Sequence, residues 1–299
     1  MRCSIWPTLQ QPWGDVAAVV GHADLTGWHC CYLADHFMGD GASFGDPGTP
    51  TLEGTAGIAA LASSTERIRL GTLVLGNTYR HPAVVANWAA TVDHISGGRL
   101  TLGLGAGWQV NEHEQYGIEL PPPGVRVSRF EEACTAIRSL LRDPVTDLDG
   151  DHYRLTRAVA EPQPVQQPLP LLIGGKGDRM LGIVARLADA WNMWGLPTVI
   201  AERGLVLDQR CERIGRDPSE ISRSTQALFC VTDDEAAATA FVDSVSPRAA
   251  VAGPASRLRE VVAEWAAVGI DEVIVPDWTL GRGAERFETM DLLRTEVMI

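Results

Sequence analysis

One histidine stands out as a candidate acid or base. His36 lies just beyond an apolar run, residues 28–34, that predicts a buried strand. Asp35 lies between that run and His36. An imidazole titrates near neutral pH and can donate a proton to a developing anion. We therefore expect His36 to exchange a proton with a substrate, with Asp35 either orienting the imidazole or supporting the loop.

The remaining histidines have no comparable sequence context. His94 falls at the predicted end of a helix and His152 falls in a predicted turn. His113, flanked by Glu112 and Glu114, is expected on a solvent-exposed segment. A lone histidine usually has no catalytic role, so the sequence gives none to these three.

A glycine-rich loop is the second candidate site. Gly174, Gly175, Lys176 and Gly177 lie between a predicted strand and a predicted helix. Unpaired N–H groups at a helix N-terminus and the helix dipole both favour an anion such as phosphate. Lys176 is followed by glycine, so this is not a Walker loop. The sequence predicts a phosphate site here, the alternative being an ordinary strand-to-helix turn.

Tryptophans recur at the predicted carboxyl ends of strands. Trp6, Trp108, Trp194 and Trp278 occupy such positions. Aromatic walls suit a large planar ligand, although each tryptophan could instead pack in the core. Together with the glycine loop, they predict a flat, phosphorylated cofactor. Neither H-E-x-x-H nor a C-x-x-C pair occurs, so a zinc hydrolase lacks support, and no metal site is expected.

These candidates need a scaffold that brings strand ends together. The predicted strands are residues 3–6, 28–34, 68–75, 99–104, 170–173, 190–194, 222–231 and 271–276, each followed by a helical or loop segment. Eight such units match a (β/α)8 TIM barrel, which places active sites at the carboxyl ends of its strands. Residues 145–155 predict a hairpin insertion. The alternative, a doubly wound sheet, requires a G-x-G-x-x-G after the first strand, which is absent. We predict one barrel domain over residues 1–299.

Composition narrows the classes of function. The 299 residues include 25 Lys and Arg against 38 Asp and Glu, a net charge of −13. This balance argues against binding to nucleic acid or to an anionic membrane surface. The apolar runs are shorter than the ~20 residues of a membrane span, and the first residues lack a signal-peptide core, so a cytoplasmic location is expected. Six scattered cysteines predict reduced thiols.

A family resemblance is carried by six stretches taken in order. They are A-D-H-F (34–37), R-I-R-L-G-T-L-V (67–74), Y-R-H-P-A (79–83), T-V-D-H-I-S-G-G-R-L (91–100), L-G-L-G-A-G-W (102–108) and P-L-L-I-G-G (170–175). The chain resembles the bacterial luciferase-like flavin and deazaflavin oxidoreductase superfamily over residues 1 to about 278. Within it, the chain looks closest to the actinobacterial branch that uses coenzyme F420, a deazaflavin.

The resemblance implies a luciferase-like TIM barrel, usually a homodimer, with the cofactor ring inside its mouth. It implies that His36 lies over the ring and that a non-prolyl cis peptide, Leu73-Val74, lies under it. Phe37 is expected beside the substrate, as are Trp6, Trp194 and Trp278. The implied cofactor contacts are Leu73, Val74, Asn77, Ala106, Gly107, Trp108, Gly174, Gly175, Lys176 and Gly177.

One position departs from the F420-dependent sugar-phosphate dehydrogenases that the chain is similar to. Those enzymes carry a catalytic carboxylate just after the glycines of the fourth strand, where this chain has Trp108. An indole cannot act as that acid. Sugar-phosphate oxidation is therefore not expected, and an apolar or flat substrate is favoured.

The leading expectation is an F420-dependent oxidoreductase that transfers a hydride between the deazaflavin and a small organic substrate. His36 would donate or accept the proton. The first alternative is an FMN-dependent monooxygenase supplied by a separate reductase. The second is a barrel that binds flavin without catalysis. The residues fit either cofactor. Hydride chemistry on such a ring requires only that the protein hold the ring against the substrate and place one proton donor nearby.

Overall fold

The computed structural model describes residues 1–42 and 44–298. Its strands, in chain order, are β1 (Arg2–Trp6), β2 (Cys30–Leu33), β3 (Arg69–Thr72), β4 (Leu75–Gly76), β5 (Leu100–Gly105), β6 (Thr146–Asp149), β7 (Arg154–Ala158), β8 (Leu171–Gly174), β9 (Ala190–Trp194), β10 (Ser222–Gln226), β11 (Leu228–Val231), β12 (Ala250–Gly253) and β13 (Glu272–Pro276). The α-helices are α1 (Trp13–Thr26), α2 (Gly54–Ser64), α3 (Pro82–Ser96), α4 (Val110–Tyr116), α5 (Pro123–Leu140), α6 (Asp178–Leu187), α7 (Pro197–Glu212), α8 (Glu235–Val245), α9 (Ala255–Ala267) and α10 (Ala284–Leu292).

Parallel strands close into a barrel of eight strand positions. The order around it is β1, β2, the β3–β4 pair, β5, β8, β9, β10 and β13. β1 and β13 pair in register from Arg2 with Glu272 to Trp6 with Pro276, which closes the ring. β3 and β4 form one strand position because both pair with β5 on either side of the Leu73-Val74 peptide. The (β/α)8 barrel predicted from the alternation is confirmed.

The main apolar core lies between the barrel and the helices that surround it. Apolar residues on the strands meet the buried faces of the surrounding helices there, although α8 contributes no buried residue. Large side chains in this layer include Phe130, Trp191, Phe229 and Trp265, all fully buried. Burial of this kind supplies the main favourable free energy of folding and leaves the carboxyl ends of the strands to form a site.

Three local features refine the prediction. The hairpin insertion is confirmed as β6 paired with β7. The strand predicted over residues 222–231 is instead two strands, because β11 leaves the barrel after Ala227 and pairs with β12. β12 and the short helix α4 were not predicted. In the described part of the chain, no helix is both long and apolar enough to cross a membrane.

Candidate active site

Two adjacent chambers lie at the carboxyl ends of the barrel strands. The central chamber, of about 530 Å³, is bounded by the β3–β4 junction and the ends of β5, β8 and β9. The side chamber, of about 790 Å³, lies beyond it towards α1 and α10. Trp6, His36 and Phe44 line both and form the boundary between them. Both volumes are in the range of small-molecule sites.

The floor of the central chamber is the junction between β3 and β4. The Leu73-Val74 peptide is cis, which confirms the expectation taken from the family resemblance. The Val74 side chain packs into a slot between two glycines. A Cβ on Gly105 would lie 2.6 Å from Val74 Cγ2, and a Cβ on Gly174 would lie 3.1 Å from Val74 Cγ1. Glycine at these positions therefore makes room for the junction, and Leu73 and Val74 both line the chamber.

His36 is held in the chamber wall by a buried carboxylate. Its Nδ1 lies 2.9 Å from Glu112 Oε1, and Glu112 is fully buried on α4. Glu112 also accepts hydrogen bonds from the Tyr79 hydroxyl and from the Phe37 N–H, the latter at 2.9 Å. Burial by itself raises the pKa of Glu112, but the hydrogen bonds from His36, Tyr79 and Phe37 outweigh it and hold the pKa below its ordinary value. The carboxylate is thus ionised beside the imidazole.

The expectation of a solvent-exposed segment around residue 113 is wrong. Glu112 and His113 are both buried, because α4 packs across the barrel mouth. His113 uses both ring nitrogens within the fold, Nδ1 at 2.6 Å from Gln109 O and Nε2 at 2.7 Å from Thr78 Oγ1. His113 is therefore structural, and Glu112 is a functional candidate that the sequence pattern did not reveal.

Asp35 supports the loop and does not contact the imidazole among the described hydrogen bonds. Its Oδ2 accepts from Arg80 at 2.7 Å and from the Gly76 N–H at 2.8 Å. Its Oδ1 is shielded from solvent and has no donor among the described residues. Burial raises the pKa of Asp35 above its ordinary value, outweighing the ion pair with Arg80. Of the two expected roles, orienting His36 falls to Glu112.

The glycine loop borders the central chamber at its β8 side. Gly174, Gly175 and Lys176 line the chamber, whereas Gly177 precedes α6 as its N-cap and lies outside the lining. The Gly175 N–H already donates to Asn192 O at 3.0 Å. Within the described residues, the N–H groups of Lys176 and Gly177 have no acceptor, and Lys176 forms no ion pair. These groups remain for an anion.

Two further chamber residues have unmatched polar atoms. Arg126 donates from Nη1 to Gly107 O at 2.9 Å, but its buried Nε has no acceptor among the described residues. The buried Oε1 of Gln226 likewise has no donor there. A buried polar group without a partner is costly, so these atoms fit a ligand with a polar edge. A flavin or deazaflavin, with its ring carbonyls and ring N–H, has such an edge.

The tryptophans predicted at the mouth do reach the chambers. Trp6 and Trp194 line the central chamber and Trp278 lines the side chamber. The rings of Trp6 and Trp194 are 5.8 Å apart at their centroids, and those of Trp6 and Trp278 are 5.3 Å apart. Trp108 is 48% exposed, lines the central chamber beside Ala106 and Gly107, and lies 5.4 Å from the His36 ring.

Two expected contact residues lie elsewhere. Asn77 is outside the described lining of both chambers and is buried, with Nδ2 donating to the Tyr153 hydroxyl at 3.3 Å. Phe37 is also outside both linings, since its ring packs against Tyr79 and Tyr116 at 4.9 and 5.5 Å. Both residues hold neighbouring site residues in place through their backbone. The Asn77 N–H donates to Gly105 O, and the Phe37 N–H donates to the Glu112 carboxylate.

The structure is a TIM barrel with a cavity of small-molecule size at the carboxyl ends of its strands. The chain matches the family described as luciferase-like monooxygenase over residues 2–269, and it belongs to that family. It is 30% identical over 266 residues to an uncharacterized protein of Mycobacterium bovis, covering 78% of this chain and 93% of that one. The resemblance seen in the sequence is therefore confirmed.

Two further comparisons involve F420-dependent enzymes. The F420-dependent glucose-6-phosphate dehydrogenase of Amycolatopsis mediterranei is 31% identical over 178 residues, which span 59% of this chain and 52% of that one. An F420-dependent secondary alcohol dehydrogenase, solved with an F420–acetone adduct, has a TM-score of 0.85 at 18% identity, with 99% and 98% of the two chains covered. The second comparison shows the shared fold.

Proposed function

We propose that this protein is an F420-dependent oxidoreductase that moves a hydride between the deazaflavin and a small organic substrate. The observation that carries the proposal is the His36–Glu112 pair in the wall of a chamber whose floor is formed by Leu73 and Val74. A relative that is an F420-dependent dehydrogenase supports the choice of cofactor. When bound, the deazaflavin would supply the hydride-carrying carbon.

The residues present fit such a cofactor. The ring would rest on Leu73 and Val74, because Gly105 and Gly174 leave space for that junction. Its polar edge would meet the unmatched atoms of Arg126 and Gln226. Its phosphate would take the free N–H groups at Lys176 and Gly177, with the Lys176 ammonium nearby. Ala106, Gly107 and Trp108 would flank it.

His36 would hold the proton that hydride transfer requires. An ionised Glu112 at Nδ1 fixes the ring orientation and favours a proton on that nitrogen, which leaves Nε2 to face a substrate. The Tyr79 hydroxyl stays protonated, because burial and the hydrogen bond to Glu112 raise its pKa, so it keeps donating to the carboxylate. A carbonyl reduction would draw the proton from His36, and an alcohol oxidation would return it there.

The second candidate function is an FMN-dependent monooxygenase fed by a separate reductase. The description of the matching family as luciferase-like monooxygenase favours it. The same floor and glycine loop would hold FMN, whose ring and phosphate have similar chemistry. The two functions therefore differ in the cofactor that the apo-protein selects.

Titration of the purified protein with F420 and, separately, with FMN tests the choice. Binding would be followed by quenching of the fluorescence of Trp6, Trp108 and Trp194, which line the central chamber. We expect F420 to bind at least tenfold more tightly than FMN. The reverse preference would select the monooxygenase. Binding of neither compound would reject both functions.

A further inference from the structure

We propose that the side chamber binds the substrate, and that this substrate is a flat, apolar molecule with one anionic group held at Arg282. This inference rests on the proposed function, because it places the substrate against the His36 that the function requires. His36 lines both chambers, so a molecule in the side chamber meets the imidazole from the side away from the glycine loop.

The strand order places the side chamber and the glycine loop at opposite sides of the barrel mouth. Three strand positions lie between β1 and β8 in either direction around the ring, so their loops face each other across the barrel mouth. The side chamber is lined by residues that follow β1 and β13, including Thr8 and Trp278. The glycine loop follows β8. A cofactor with its phosphate at that loop would occupy the central chamber and would leave the side chamber for a second molecule.

Aromatic side chains form the inner wall of the side chamber. The centroids of Phe44 and Trp278 are 5.6 Å apart, and the Trp6 ring lies 5.3 Å from that of Trp278. Leu9 and Phe287 extend the apolar surface outward. Flat apolar rings pack well against such walls, because aromatic pairs prefer edge-on and offset contacts at these distances. The body of the substrate is therefore apolar and flat.

One polar atom in this wall lacks a partner. The indole Nε1 of Trp278 is shielded from solvent, and none of the described residues accepts a hydrogen bond from it. An oxygen on the bound molecule would satisfy this donor. A purely hydrocarbon ligand would leave this donor without an acceptor, as it is in the unliganded chamber. The substrate accordingly carries an oxygen acceptor close to its flat body.

Cations outnumber carboxylates along the side chamber, in a chain whose net charge is −13. Three arginines and one aspartate, Asp15, line it. The Arg286 guanidinium is already paired within the fold, since it donates to Asp277 Oδ2 at 3.0 Å and to Gln11 Oε1 at 2.8 Å.

The remaining two arginines differ in their surroundings. Arg248 lies over the rings of Phe44 and Trp278, at 4.6 and 5.2 Å, with the charge of Asp40 nearby. Arg282 is exposed at the outer end and pairs with no carboxylate in the described part of the chain. Arg282 is therefore the cation left for the anionic group of a ligand.

Two fluorescent dyes of nearly the same shape test this inference in the apo-protein. 8-Anilino-1-naphthalenesulfonate has flat rings and one anionic group, and N-phenyl-1-naphthylamine has the same rings without the charge. We expect Arg282→Gln to raise the Kd of the sulfonate five- to tenfold and that of the neutral dye less than twofold. Trp278→Leu should weaken both dyes. Arg213→Gln, a change at an exposed arginine after α7, is the matched control and should alter neither.

Displacement of the bound sulfonate identifies the anionic group. The competitors are naphthalene-2-carboxylate, 2-naphthyl phosphate and the neutral 2-naphthalenemethanol. Whichever anion displaces the sulfonate at the lower concentration shows whether the site prefers a carboxylate or a phosphate. Equal displacement by the neutral alcohol would overturn the inference. So would an unchanged sulfonate Kd in Arg282→Gln.

Adding F420 separates this inference from the proposed function. We expect the sulfonate to remain bound when F420 saturates the central chamber. One-for-one displacement of the sulfonate would show that the cofactor reaches the side chamber. That result would overturn the inference about the substrate but would still support F420 binding. Absence of F420 binding together with an Arg282-dependent dye site would reject the function and leave the chamber assignment intact.

Discussion

Glu112 Oε1 lies 2.9 Å from His36 Nδ1, although the two residues are 76 positions apart in the chain. α4 brings the carboxylate over the barrel mouth, and its buried position leaves the charge met only by hydrogen-bond donors. The imidazole thereby has a fixed orientation and a counter-ion if it takes up a proton.

Glu112→Gln should lower kcat about 10- to 100-fold, because the imidazole loses the carboxylate that fixes its orientation and balances its charge when it takes up a proton. The Kd for F420 should change less than twofold, because Glu112 lies outside the described lining of the central chamber. Steady-state kinetics and fluorescence titration measure the two quantities. Glu114→Gln, on the exposed side of the same helix, is the matched control and should leave both unchanged. A kcat within twofold of the parent would remove Glu112 from the mechanism.

Lys176→Ala should raise the Kd for F420 about fivefold, which corresponds to roughly 1 kcal/mol for an exposed charge-assisted contact. The whole chain carries a charge of −13, so attraction for an anionic cofactor has to be local. Titrations at low and high salt check this origin, because the difference between variant and parent should shrink as salt screens the charge. An F420 affinity equal to that of the parent would show that Lys176 does not contact the cofactor and that the glycine loop is an ordinary strand-to-helix turn.

Much of the fold was predictable because it depends on local patterns. Short apolar strands alternating with helices specify the barrel, and strand ends place His36, Trp6 and the glycine loop at one mouth. The split of residues 222–231 was not predictable, since no Gly or Pro interrupts the segment at Ala227, where the backbone leaves the barrel to pair with β12. A short strand such as Ala250–Gly253 has too few residues to show a period.

The site was predictable where it depends on strand ends and less so where it depends on packing between distant segments. Glu112 lies on a helix of seven residues, too short to display a clear apolar face. The run Glu112-His113-Glu114 gave the appearance of a solvated segment. The signal that could have found it is its position, four residues after Trp108 and just beyond the glycines of β5. The sequence did not indicate that the Phe37 ring packs against Tyr79 and Tyr116, outside the described linings of the chambers.

Gly105→Ala should disturb the chamber floor, since the new Cβ would lie 2.6 Å from Val74 Cγ2. We expect a loss of about 1–3 kcal/mol in the free energy of unfolding, as for overpacked cores, together with weaker F420 binding. Adding Val74→Ala removes the clashing methyl groups and should restore much of the lost stability. Gly14→Ala in α1, where nothing lies within 4 Å of the new Cβ, is the control. Denaturant unfolding of the four proteins checks the pattern, and a double variant no more stable than Gly105→Ala would contradict it.

Glu272→Gln should stabilise the protein at neutral pH and do so less at acidic pH. Glu272 is buried at the start of β13, where it accepts a hydrogen bond from the Ser4 hydroxyl at 2.5 Å and faces the Tyr32 hydroxyl. Burial raises the pKa of this carboxyl above its ordinary value near 4.5, outweighing the hydrogen bond from Ser4 and the charge of Arg2 that lower it.

A carboxyl whose pKa is raised on folding binds its proton more tightly in the folded state. Its contribution to stability is therefore complete below the unfolded-state pKa and declines as the pH rises through the folded pKa. Glutamine cannot ionise, keeps an oxygen to accept from Ser4 and offers an N–H to Tyr32, so it avoids that decline. We expect the Tm of Glu272→Gln to exceed that of the parent by about 2 °C at pH 8, roughly 1 kcal/mol for a chain of this size, with the difference shrinking towards pH 5. Thermal unfolding at both pH values measures it. A variant less stable than the parent at pH 8 would show that the ionised Glu272 stabilises the base of the barrel.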